Sequence, residues 1–406
     1  MRNLFICFLL ATLAWLVQAG PSPVVEPATY LGILVVCPVL AARLCRNLQF
    51  PPAVGAVVAG AILNQSGLLN AEILVSLISF KEVGLVWLGL YLGTRISQSA
   101  TWSGPFGTSS ISIFVASTLL VTIASGLLPL TLLERLQLGL MGAICAPIFT
   151  MLTPNHHRDE IGVAGLSTCL ALAMLCVTYQ SASLTDKTFL SQAAIYLVLL
   201  FLSAEIAFRS VRGAVSGPGR YLVLILAMGA LWQLAAILSV HPGLVGITFG
   251  VALGLRARRW QDTLQPLAEA SSFVGPFVLG FVSAELDWSR LLYAPAKAWI
   301  VGALIILPAV TGKAIAGLVA RRLTRFSHQD WLSVYPFGLA AIEALPVVLP
   351  DRLFLGVVTQ PVEGYLPAIL IGAVVLPMSV CFVDRAGNYI VSRRNESAPL
   401  RGREST

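Results

Sequence analysis

Long apolar runs divide this chain, and the loops between them alternate Arg-rich, Arg-poor, Arg-rich from one end to the other. Of the 26 Lys and Arg, 19 fall on one side, among them Arg43, Arg46, Arg95, Arg158, Arg258, Arg322 and Arg393. Arg135, Lys187, Arg290, Lys297 and Arg352 fall on the other, and Lys81 and Lys313 sit within or beside apolar segments. Such asymmetry orients a multi-span protein, because basic loops stay in the cytoplasm. It predicts a multi-pass protein of the inner (plasma) membrane with the mature N-terminus outside and the C-terminus cytoplasmic. It also accounts for the net charge of +7, so no nucleic-acid partner is expected.

The composition agrees. With 57% hydrophobic and 11% charged residues, the chain has too few polar groups to wet the surface of a soluble domain of its length. Inside a bilayer the backbone must satisfy its own hydrogen bonds, and the apolar runs lack the alternation of barrel strands, so they are predicted to be helices. The expected fold is an all-α polytopic membrane protein in a lipid bilayer, with about thirteen transmembrane helices. Residues 1–20 carry a basic start, an apolar stretch and a small-residue end at Ala19. They read either as a signal peptide or as an extra N-terminal helix. The seven cysteines all lie in or next to apolar runs, without CxxC spacing or a histidine at ligand distance. They are read as small buried residues, with no metal, cofactor or disulfide expected.

An internal repeat appears at an offset of 191 residues. Pro51 matches Pro242, Val54 Val245, Gly55 Gly246, Ala61 Ala252, Val83 Val274, Gly84 Gly275, Leu88 Leu279 and Gly89 Gly280. The offset crosses an odd number of spans, so the second copy must run inverted in the membrane. This gives a first repeat over 29–183, a linker helix over 189–210, a second repeat over 219–385 and a polar cytoplasmic tail over 386–406. The GAVSGPG stretch (213–219) is the expected hinge between the halves, and Ala71 to Phe80 is read as a helix lying flat on the membrane.

Four stretches then carry a family resemblance: FPPAVGAVVAGAILNQSGLL from Phe50, KEVGLVWLGLYLGTRI from Lys81, SFVGPFVLGFVSAELDW from Ser272 and VTGKAIAGLVARRL from Val310. Together they resemble the monovalent cation:proton antiporter family, in its bacterial sodium/proton and potassium/proton exchanger branch. The resemblance implies two broken helices crossing at mid-membrane, one at Cys145, Ala146, Pro147 and Thr150, the other at Pro336 and Gly338. It implies a monovalent cation and a proton as partners, a homodimer, and alternating access of a core (fourth to sixth and eleventh to thirteenth spans) against a scaffold.

The chain departs from that pattern at the ion site. Where the family carries an aspartate pair, the matching positions are Leu172 and Ala173, and the usual Thr-Ser-Pro reads Cys145-Ala146-Pro147. Thr150, Ser167, Thr168 and Thr178 remain as polar candidates. Lys313 and Glu343 are charges in apolar surroundings, and such residues pair or line wet cavities. They are read as a pair in the ion or proton pathway, or as a static bridge. Glu205 and Arg209 suit a surface i,i+4 pair; Glu285, Asp287 and Glu363 are read as interfacial, and His156 and His157 as incidental. No HExxH, GxSxG or nucleotide-binding glycine loop is present in the sequence, so a transporter is expected and an enzyme is not. The competing reading is a transport-inactive or differently selective relative serving as a membrane scaffold or regulatory subunit.

Overall fold

The structure, a computed structural model, describes residues 27–69, 71–99, 104–128, 130–143, 165–175, 217–238, 242–256, 261–286 and 296–324, with a few single positions besides. Its elements are α1 (Pro27–Asn47), α2 (Pro52–Gln65), α3 (Ala71–Ser99), α4 (Gly104–Ala124), a 3-10 turn (Ser125–Leu127) and α5 (Leu132–Ala143). There follow α6 (Gly165–Leu175), α7 (Gly217–Leu238), α8 (Pro242–Arg256), α9 (Gln261–Glu285) and α10 (Ala296–Thr324). Stretches of α1, α3, α4 and α10 are long and apolar enough to cross a membrane, while α2, α6, α8 and a segment of α9 are shorter apolar helices. Fourteen residues in α2 span only about 21 Å, less than a hydrocarbon core of about 30 Å. Exposed apolar side chains such as Ile111, Leu119 and Ile123 on α4, or Ile300 and Leu307 on α10, suit a lipid solvent.

The helices that pack closely fall into two groups. One is a panel in which α3 packs on α8, α9 on α2, α3 and α1, α1 on α2, and α7 on α8 and α3. The other is a bundle in which α4 packs on α10 and α5, and α5 on α10. Helix α6 joins the bundle through Ser167, whose hydroxyl donates to the Ala143 carbonyl at 3.0 Å. Panel and bundle meet through side chains: Gly165 of α6, for instance, faces Leu92 and Ile96 of α3.

Within the panel the partners are exchanged. The 191-residue offset carries α2 onto α8 and α3 onto α9, and α3 packs on α8 as α9 packs on α2. It also exchanges α1 on α2 with α7 on α8, and α9 on α1 with α3 on α7. The same pattern reaches single residues, since a Cβ placed on Gly89 would meet Ile247, and one placed on Gly280 would meet Ala56.

The two exchanged seams have different chemistry. Between α3 and α8 the contact is made by glycines: a Cβ on Gly93 would strike the Ile247 carbonyl, one on Gly246 the Val86 carbonyl, and one on Gly250 the Leu90 carbonyl. Helix backbones approach this closely only where side chains are absent. Between α2 and α9, Gly60 meets Gly280, and polar side chains supplement it. Asn64 Nδ2 donates to the Ala284 carbonyl, and Ser283 Oγ donates to the Val57 carbonyl at 2.6 Å.

Two local expectations are corrected. Ala71 to Phe80 is no separate flat helix but the start of the continuous 29-residue α3, for the charges that seemed to interrupt it are satisfied internally. Lys81 meets Glu285, and Glu82 accepts a hydrogen bond from Trp232 Nε1 at 2.5 Å. The second half of the expected hinge, Gly217 to Gly219, is the first turn of α7. Pro218 fits there because the first turn leaves its N–H groups unbonded in any case.

Candidate functional site

The bundle brings one constellation together around the end of the described part of α5. Gly142 is buried, and a Cβ there would meet Val121 of α4 and Ala309 of α10. One turn from Val121 on α4 lie Ser117 and Thr118, and one turn from Ala309 on α10 lies Lys313. The two helices run antiparallel at this level, because Gly312 abuts the Ser117 backbone, where a Cβ would come within 2.7 Å of the Ser117 Cα. Ser117, Thr118, Lys313, Ser167 and Thr168 are all buried.

Lys313, expected as a pathway residue, is 4% exposed on α10. Leu172 is buried within the main apolar cluster and Ala173 packs against it, so both positions present hydrocarbon. Ser167 is committed to Ala143, and Thr168 is buried beside it on α6. Glu343, Cys145, Ala146, Pro147, Thr150, Pro336 and Gly338 lie outside the described residues, as do His156, His157, Thr178, Asp287 and Glu363. The proposed partner of Lys313 and the two broken helices therefore rest on the sequence.

The panel holds a constellation that the sequence reading did not find. Lys81 Nζ lies 2.6 Å from Glu285 Oε1, with side chains 3% and 20% exposed. The same ammonium stands 5.5 Å from the centre of the Phe281 ring, a cation–π distance. Trp288 closes the end of α9 by donating from Nε1 to the Ser283 carbonyl at 2.8 Å. Glu285 had been set aside as interfacial, and the repeat gave no hint, because the offset pairs Lys81 with Ser272 and Glu285 with Thr94. Ser117 and Thr118 were also missed. Ser110, Ser117, Thr118 and Thr122 on α4, and Ser125 in the 3-10 turn that follows, recur at helical spacing, and all except the half-buried Thr122 are buried. That stripe was the available signal. The Glu205–Arg209 pair is present as expected, at 2.9 Å on a largely exposed guanidinium.

Among solved structures, the fold is similar to that of the sodium proton antiporter MjNhaP1 from Methanocaldococcus jannaschii. Its structure at pH 8 matches with a TM-score of 0.67 and 15% identity, over 90% of this chain and 100% of that one. An electron-microscopy structure of the same antiporter matches with a TM-score of 0.66 and 15% identity, over 93% and 98%. By sequence, no family model and no curated protein matches. The likeness is one of fold: the chain is all-helical in its described residues and has a sodium/proton antiporter fold.

Proposed function

We propose that this protein is a secondary transporter exchanging a monovalent cation, Na⁺ or K⁺, for protons by alternating access at a mid-membrane site. The observation that carries the reading is the division of an antiporter-like fold into two closely packed groups that meet through side chains. A bundle and a panel packed in this way can shift as bodies with little loss of internal contact. In this reading the panel is the scaffold, the bundle is the moving core, and the exchanged helix pairs reflect two inverted repeats. The protein is a divergent member of the bacterial monovalent cation:proton antiporter family and works as a homodimer in the inner membrane. Its mature N-terminus is outside and its C-terminus cytoplasmic. Lys313 pairs with Glu343, which carries the proton.

A second reading has its own observation. Leu172 and Ala173 set apolar side chains where the family's aspartates are expected, which favours a transport-inactive or differently selective relative acting as a scaffold or regulatory subunit. Electrophysiology on solid-supported membranes, with purified protein in proteoliposomes, separates the two. Exchange predicts transient currents under a Na⁺ or K⁺ gradient that depend on pH, and loss or altered pH dependence of those currents in Glu343→Gln. Silence under Na⁺, K⁺ and pH gradients would leave the scaffold reading.

A further inference from the structure

A hydroxyl inside an apolar helix ordinarily bonds back to a carbonyl one turn earlier. Thr94 does so to Tyr91 at 2.6 Å, Thr122 to Thr118 at 2.7 Å, Ser125 to Thr122 at 2.9 Å and Ser271 to Leu267 at 2.6 Å. Ser167 and Ser283 instead bond a neighbouring helix. Among the described residues, two buried hydroxyls do neither: Ser117 Oγ and Thr118 Oγ1 have no hydrogen-bond partner. Ser117 is 0% and Thr118 8% exposed.

A buried hydroxyl without a partner has given up its water and gained nothing in exchange. Two such hydroxyls stand in succession on α4 at the level of Gly312, one turn from the Gly142 contact, and the protein satisfies neither. We infer that Ser117 and Thr118 are oxygen ligands for the transported cation, supplying part of the coordination that Leu172 and Ala173 cannot. This inference rests on reading the chain as a cation/proton exchanger.

The chemistry favours a cation over an anion. Hydroxyl oxygens carry lone pairs that can replace water around a hard monovalent ion, and those of Ser117 and Thr118 are engaged by no group of the protein. Lys313 brings a positive charge to the same level. Under the proposed pairing with Glu343 that charge is neutralised, so the site admits a monovalent ion and disfavours a divalent one. Neutral hydroxyls release no proton when the ion binds, so coupling stays with the ionisable pair while α4 sets cation affinity and selectivity.

The test uses the full-length protein with Ser117→Ala, Thr118→Val and the double substitution, each close in shape to the parent. In thermal unfolding in detergent, the parent is expected to be stabilised by NaCl or KCl relative to choline chloride, because a ligand that binds only the folded state raises its stability. The double variant is expected to lose that shift and to melt no lower than the parent in choline chloride, since it removes groups that had no partner. In proteoliposomes its apparent KM for the cation is expected to rise about tenfold, as for a loss of about 1.4 kcal/mol, with an altered Na⁺/K⁺ preference. Ser117→Thr is expected to restore affinity where Ser117→Ala does not. If the parent responds to cations and the double variant responds equally, with unchanged KM and selectivity, the hydroxyls are not ligands and the exchanger reading stands without them. If the parent shows neither a cation-dependent shift nor transport, or responds only to a change of anion, both the inference and the exchanger reading fall.

Discussion

Lys81 and Glu285 show how a charge is tolerated in an apolar helix. Taking either ion out of water costs several kcal/mol, which their attraction offsets only while both are present. Removing one partner should therefore be worse than removing both. Lys81→Met and Glu285→Gln are each expected to destabilise the protein by about 3 kcal/mol, the lower end of the range for a broken buried pair, because Glu285 keeps a fifth of its side chain exposed. The double variant should regain most of that loss in the same detergent unfolding assay. Additive effects, with coupling under about 0.5 kcal/mol, would show that the two side chains do not hold each other in solution. The pair was hidden in the sequence because long-range pairing is not encoded by spacing. Each residue sits at the margin of its apolar run and looks solvated when read alone. Lys313 was legible because it lies deep inside a run, where no edge is within reach of an ammonium.

Helix boundaries and seams were unequally legible. The bounds of α2 and α8 are written in the sequence, since both helices open at a proline and end in polar residues. The length of α3 was misread, because Lys81 and Glu82 looked like the start of a span instead of its middle. The glycines were seen as repeat markers, and only packing revealed which of them touch. That difference gives a test. Gly250→Ala forces a Cβ against the Leu90 carbonyl, a backbone atom that cannot move aside, and is expected to lower stability by about 1–3 kcal/mol. Gly229→Ala, on α7 with nothing within 4 Å of the added Cβ, is expected to be neutral or to gain up to about 1 kcal/mol through helix propensity. Equal effects in a melting comparison would mean that the α3–α8 seam is looser than described.

At the scale of the whole molecule, charge and composition sufficed for an all-helical chain of apolar helices, and the family resemblance for its antiporter-like fold. The site was less legible, since its oxygens come from α4, a helix with no motif, and are marked only by bonds they fail to make. The Lys81–Glu285 pair also has a consequence in time. Its partners are separated by 204 residues, and at about 5–20 residues per second of synthesis some 10–40 s pass between their emergence from the ribosome. Throughout that interval α3 must be held at the membrane with an uncompensated ammonium, and for most of it without the glycine face of α8. Nascent chains arrested near residue 240 should therefore insert α3 incompletely, as read by a glycosylation or alkylation reporter, and Lys81→Leu should drive the same arrested chains to full insertion. Identical insertion of both would mean that the translocon accepts α3 unaided. Otherwise the panel is assembled backwards, one of its early helices waiting on one of its last.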